Sequence, residues 1–254
     1  MEATIFGQGL RDGLRLKRFL PWMFVALICF VIAFIWDQLQ TDATPKQTYT
    51  SVSSIFVFHI LALASAIYTT AIISQEVEQK TIVYLLTRPV PRWKLLVYRY
   101  LASVIVVSII GVVSAILSSI GAYHGFGSNP FLLKDCIALI VGSFAYGALF
   151  LLVSVFLNRS MIYCLLFAFG WETLIPNMPG QMYILSINSY IQGIAQHAAT
   201  EASSAITAAT TAVADNTPSP MTAYATMIPF SIVLVLLSAL FFSIREYLPR
   251  EDSE

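Results

Sequence analysis

The sequence predicts an all-α, polytopic membrane protein with six transmembrane helices and both termini in the cytoplasm. Composition points there first. Of 254 residues, 57% are hydrophobic and only 11% charged, with a mean hydropathy of +0.76, too apolar for an ordinary soluble domain. The apolar residues also gather into runs able to cross a hydrocarbon core, which takes about 20 helical residues. Finally, these runs are continuously apolar, whereas the strands of a membrane barrel alternate lipid-facing and lumen-facing positions.

Six runs are expected to span, at about 19–36, 51–73, 95–120, 132–156, 161–175 and 221–244. The fifth is short. Net charge is zero, so only its distribution is informative. Arg11, Arg15, Lys17, Arg18, Lys80, Arg88, Arg92, Lys94, Arg99, Arg159, Arg245 and Arg250 fall on one side of these spans, and only Lys46 and Lys134 on the other. Positively charged loops stay cytoplasmic, which puts both termini inside and makes the span count even. The first run is read as an uncleaved anchor, because Trp36-Asp37-Gln38 offers no small-residue cleavage site. Cys29, Cys136 and Cys164 lie within or beside spans without clustering, which indicates neither a disulfide framework nor a metal site.

The chain is read as one transmembrane domain, 1–254, without internal repeats. In 1–18, Phe6, Leu10 and Leu14 recur every four residues while Arg11, Arg15 and Arg18 collect on another face. That pattern suits a cytoplasmic interfacial helix with its basic face toward anionic headgroups of membrane lipids; the alternative is a basic flank that only sets orientation. The outer loops 37–50 and 121–131 are short and turn-rich. The outer loop 176–220 is the largest. Pro176, Pro179 and Gly180 must break any helix there. The stretch 182–194 is amphipathic enough to lie on the membrane surface, and the low-complexity stretch 198–214 leads to a Pro-rich linker before the last span.

The segment 74–94 is a charged, helix-patterned island on the cytoplasmic side. Ile82, Leu85 and Leu86 recur at helical spacing, and Glu76 and Lys80 stand four apart in the favourable acid-first order. Arg88-Pro89 ends this helix, since the residue before proline is pushed out of the α region. Pro91 opens the next helix, with Arg92, Trp93 and Lys94 as a basic-aromatic anchor at the interface. The shape is a short lever, a hard corner and a long span.

The run SQEVEQKTIVYLLTRPVPRW at 74–93 resembles the E-x-E-x-x-T-x-x-x-L-L-x-R-P-x-x-R signature of type-2 ABC exporter permeases (the ABC-2 type). Glu76, Glu78, Thr81, Leu85, Leu86, Arg88, Pro89 and Arg92 match it position by position, and the stretch from Trp171 to Gly180 resembles bacterial members more loosely. The resemblance implies a permease subunit in the plasma (inner) membrane, exporting rather than importing. It implies that the 74–94 loop is a coupling helix docked on a separate ABC ATPase subunit, and that two permease copies, most simply a homodimer, enclose a path. The chain has no G-x-x-x-x-G-K-[ST] phosphate loop, so ATP and Mg²⁺ are expected in the partner ATPase, with no cofactor in this chain. ATP-driven closure of the ATPases would then move the lever and switch the path between its two faces. The rival reading is an ATPase-independent membrane scaffold or assembly factor that recruits a cytosolic protein through the same loop.

Two ionisable residues stand out inside the apolar runs. His59 is a candidate intramembrane polar site, although a lone histidine without a carboxylate at helical spacing more commonly serves as an interhelical hydrogen bonder. Glu172, near the end of the short fifth run, is read either as an outer gate or as a brace for the broken segment after it. Small residues such as Ser108, Gly111, Ser114, Gly142, Ser143 and Gly147 suit close helix packing. There is no H-E-x-x-H, no G-x-S-x-G and no intramembrane carboxylate pair, so no enzymatic activity is expected, nor a nucleic-acid partner.

Overall fold

The computed structural model describes residues 2–39, 44–78, 92–125, 129–157, 159–175, 181–197 and 218–244. All secondary structure among them is helical, as a backbone surrounded by lipid requires when every N–H and C=O must be satisfied within its own segment. Helix α1 (Glu2–Gly13) turns into α2 (Leu16–Leu39). Helix α3 (Pro45–Val52) runs through a π-turn at Ser53–Val57 into α4 (Phe58–Glu78). Then come α5 (Arg92–Tyr123), α6 (Leu132–Phe156) and α7 (Ser160–Leu166), the last extended by a π-turn at Phe167–Trp171 and a final turn at Glu172–Leu174. A 3₁₀ turn (Gln181–Leu185), α8 (Ile187–Ala195) and α9 (Pro220–Ile244) complete the described chain.

Among the described residues five helical segments are long and apolar enough to cross a membrane: Leu16–Leu39, Pro45–Ile72, Trp93–Tyr123, Leu132–Phe156 and Pro220–Ile244. The run expected at 161–175 forms the shorter apolar helix Ser160–Leu174. The second span begins earlier than expected, at Pro45 instead of 51, because a capping box starts it inside the supposed loop. Gln47 N donates to Thr44 Oγ1 (3.4 Å), Thr44 N donates to Gln47 Oε1 (3.0 Å), and Pro45 occupies the first helical position.

Helices α5 and α6 form the centre. The first packs against α1, α2, α3, α4, α6 and α9, the second against α4, α5, α7, α8 and α9. Lipid is as apolar as leucine, so close approach and hydrogen bonds between helices, not exclusion from water, hold such a bundle together. Ser108 and Ser143 share a hydrogen bond of 2.6 Å across α5 and α6, and the Tyr100 hydroxyl donates to the Phe144 carbonyl at 2.8 Å. At Gly121 a Cβ would lie 2.8 Å from the Phe30 carbonyl oxygen, so α2 backbone rests directly on α5.

Helix α1 likewise packs on α5 through its glycines: Cβ atoms at Gly9 and Gly13 would meet Ala102 Cβ at 3.1 Å and Val106 Cγ2 at 2.8 Å. The buried stripe therefore follows Gly9, Leu10 and Gly13, and Leu14, which spacing alone assigned to the apolar face, is exposed. Arg11, Arg15 and Arg18 are exposed, with Arg15 paired to Asp12 at 3.0 Å.

The bundle has two chemically distinct ends. At one, His124 Nε2 meets Asp37 at 2.8 Å, joining the ends of α2 and α5, with Lys46 and Lys134 nearby in the chain. At the other, the Tyr68 hydroxyl donates to the Gly13 and Arg18 carbonyls (3.4 and 3.3 Å), pinning the α1–α2 joint to α4. Replacing Gly121 by valine should force α2 off α5 and cost about 1–3 kcal/mol, read as a lowered unfolding midpoint in detergent. A valine protein as stable as the parent would show that this backbone contact is dispensable.

Candidate functional site

Among the described residues two carboxylates are fully buried, Asp135 and Glu172, and they flank the two ends of the same short helix. Helix α8 was expected on the membrane surface; instead it is inserted among α6, α9 and α4, with Ile187, Asn188, Ser189, Ile191, Gln192, Gly193, Ile194 and Ala195 all buried. Small residues open the space for it. At Gly142 of α6 a Cβ would lie 2.5 Å from Ile191 Cδ1 and 2.9 Å from Leu61 Cδ2, so α8, α4 and α6 meet where α6 has no side chain. A one-face amphipathicity argument misses this, since it presumes that one side of the helix stays wet.

An inserted helix brings unpaired N–H and C=O groups at its two ends. Glu172 answers the first. It is 1% exposed, and its carboxylate accepts from Ser186 Oγ (2.6 Å), Ile187 N (3.1 Å) and Asn188 N (3.1 Å), with the buried Tyr146 side chain close by. Ser186 is the N-cap and accepts from Ser189 N at 3.3 Å. Next to Glu172, Trp171 Nε1 donates to the Leu185 carbonyl at 3.1 Å. The negative group thus sits on the positive end of the helix, where peptide dipole and backbone donors both favour it.

The other end is held by Lys134 and Asp135. Gln196 adopts the left-handed conformation (φ 54°) that closes α8, and its Oε1 accepts from Lys134 Nζ at 2.7 Å. His197 Nε2 meets Asp135 Oδ1 at 2.8 Å, while Asp135 Oδ2 accepts from the hydroxyls of Tyr49 (2.5 Å) and Ser53 (3.1 Å). Asp135 is 0% and His197 8% exposed. Asp135 also lies in the first turn of α6, so a second helix dipole favours its charge. The imidazole stacks on Phe58 (5.6 Å between centroids) and faces the edge of Phe131, whose ring is covered by Lys46 and Lys134 at 5.0 and 5.8 Å. The two lysines set apart by charge distribution therefore roof one buried acid.

The spacing sets the depth of these sites. Asp135 and Tyr146 are eleven positions apart on α6, about 16 Å by helical rise. Helix α8 covers nearly that interval with its nine residues, about 14 Å. Glu172 consequently lies near the middle of α6, and Asp135 near its end. In a broken helix buried in a membrane bundle, a mid-depth N-terminus attracts an anion; here the chain's own Glu172 occupies it.

The other residues singled out by sequence fall elsewhere. His59 lies in α4, its ring nitrogens buried against the Ser54 and Ile55 backbone without a well-formed hydrogen bond among the described residues. Glu76 and Glu78 occupy the last turns of α4, and Arg92 opens α5. Thr81, Leu85, Leu86, Arg88 and Pro89 lie outside the described residues, as do 176–180, 198–217, Arg245 and Arg250. Sequence reasoning missed Asp135, His197, Tyr49, Ser53 and Tyr146. An acid four residues into an otherwise apolar run was the available signal for Asp135. Among the described residues no group of three His, Cys, Asp or Glu side chains is placed to hold a metal ion.

Five spanning helices, buried carboxylates spent on internal structure and cations gathered at loop ends define a multi-pass α-helical membrane protein. Residues 14–171, more than half of the chain, match the family model described as ABC-2 family transporter protein. The chain belongs to that family, and is a membrane permease component of an ABC transporter, a class that associates with ABC ATPase components. No curated protein matches it.

Truncating Asp135 to alanine would strand Tyr49, Ser53 and His197 without their acceptor and should destabilise the fold by about 3–5 kcal/mol. Tyr49→Phe removes one donor of several and should cost about 1 kcal/mol. Thermal unfolding in detergent reads both, and equal effects would refute the central role of the carboxylate.

Proposed function

We propose that the chain is the permease subunit of an ATP-driven exporter, working as a homodimer with two separate ATPase subunits that carry ATP and Mg²⁺. The observation that carries this reading is that the family match covers the 74–94 loop, whose flanking helices are two of the most deeply packed in the bundle. Helix α4 leads into the loop with Glu76 and Glu78, and α5 leaves it from Arg92. Force applied to the loop by an ATPase would enter the centre of the bundle directly, through packed helices that transmit displacement as rigid bodies. The cytoplasm is assigned to the end bearing Arg11, Arg15, Arg18 and the loop.

The same reading completes the span count. Helix α7 climbs from the Arg159 end to Glu172, and α8 continues from Glu172 to Asp135 beside α6. We take the two as one discontinuous crossing, which makes the total six and leaves both termini on the same side. Glu172 is then a brace at the joint, not a gate: its carboxylate is saturated by internal donors and has little left to offer a substrate.

Charge reversal of Glu76 and Glu78 to lysine should weaken co-purification of the ATPase by about tenfold or more, equivalent to about 1.4 kcal/mol of docking free energy. ATP turnover of the complex should fall with it. An unchanged complex with unchanged turnover overturns the coupling role and favours a scaffold. Glu172→Gln, which cannot accept from all of its donors, should lower transport while the ATPase stays bound; detachment of the ATPase would contradict the brace.

A further inference from the structure

A groove of about 360 Å³ runs between α2 and α4, lined by Trp22, Val25, Ile67, Tyr68 and Ala71. It exists because α2 rests on α3 and α5 instead of on α4. The buried residues of α2 are Ala26, Cys29 and Ala33, all beyond Val25, so the gap opens along the first turns of the helix. Ala71 offers only a methyl group to fill it, and the rings of Trp22 and Tyr68 stand 6.3 Å apart between centroids.

Width decides what can enter. From Arg18 to Val25 the groove follows two turns of α2, about 10 Å. Spread over that length, its volume gives a cross-section of about 36 Å², about 6 Å across. A helix from a second copy, about 10–12 Å wide with its side chains, does not fit. Water is poorly held by walls that are mainly hydrocarbon, and the Tyr68 hydroxyl is already committed to the Gly13 and Arg18 carbonyls. An empty groove would leave the wall atoms without partners on one side and forfeit their dispersion contacts. A single extended hydrocarbon chain fits the width. The groove also continues into the bilayer-facing surface at Leu20, Phe24 and Leu27, all exposed, so a chain already in the leaflet can enter it sideways.

We propose that the groove holds one aliphatic chain of a bilayer lipid, lying against Trp22 and Ala71 as a packing element shared by α2 and α4, whatever headgroup the lipid carries. The site is independent of the proposed coupling role. The chain supplies the contacts that α2 and α4 do not make with each other along these turns, and a bulky side chain placed in the groove takes over its position.

Trp22 provides the readout. One protein keeps only this tryptophan (Trp36→Phe, Trp93→Phe and Trp171→Phe); a companion adds Trp22→Phe and Phe24→Trp, which moves the reporter to a bilayer-facing position that is 63% exposed. Both are reconstituted in vesicles of phosphatidylcholine with brominated acyl chains and then diluted into excess detergent. Quenching of Trp22 should outlast quenching at position 24 several-fold, because a chain held in the groove leaves more slowly than lipid at the surface. Ala71→Phe and Val25→Phe, which fill the groove from opposite walls, should each bring Trp22 to the rate of position 24. Brominated phosphatidylglycerol should behave as phosphatidylcholine does. Equal rates at the two positions, no quenching of Trp22 in the vesicles, slow loss that survives both filling variants, or a several-fold preference for one headgroup each overturns the proposal.

Discussion

The arrangement of the bundle depends on two carboxylates buried where water cannot reach. A helix inserted among others in a bilayer cannot leave its terminal N–H and C=O groups bare, because each would cost several kcal/mol. Helix α8 meets that requirement at its start, where Glu172 accepts from the Ile187 and Asn188 N–H groups; at its finish Lys134 and Asp135 hold the side chains of Gln196 and His197, which follow its last turn. An α7 turn and the first turn of α6 thus act as the two fittings between which α8 is hung. Removing either leaves not only a lost contact but a buried charge or donor without a partner, the more expensive fault.

The ends of the bundle are built on different physics. Around Asp135 the carboxylate is held by Tyr49, Ser53 and His197, with aromatic rings and two lysines closing it over. At the opposite end α1, α2, α4 and α5 converge with a cavity between them, α1 packed on α5 at Gly9 and Gly13 and the α1–α2 joint pinned by hydrogen bonds of 3.3–3.4 Å from Tyr68. The first end anchors the inserted helix, whereas the other is the one from which α4 and α5 lead to the 74–94 loop.

Much of the fold was legible in the chain. Continuous apolarity located five helices within a few residues, and the run at 161–175 was recognised as short. The second span was entered six residues late because Thr44-Pro45-Lys46-Gln47 reads as polar loop by composition, although its capping box and N-terminal proline are local signals of a helix start. On α1, hydrophobic spacing passes over Gly9 and Gly13, which bury a face by letting α5 approach closely. Helix α8 was placed on the membrane surface for a related reason: Asn188, Ser189 and Gln192 look solvent-facing unless the residues that surround them are known.

By itself, the sequence determined the membrane character of the chain and the approximate position of five apolar helices, since these are properties of contiguous residues. Only the tertiary structure decided what Glu172 and Asp135 do. Their partners lie 14 to 86 positions away along the chain, and the value of a buried charge depends on which donors surround it, which no local pattern encodes. It likewise took folding to bring Arg18 of α2 and Arg99 of α5 to the edge of one cavity, two cations that the sequence presents only as separate basic flanks.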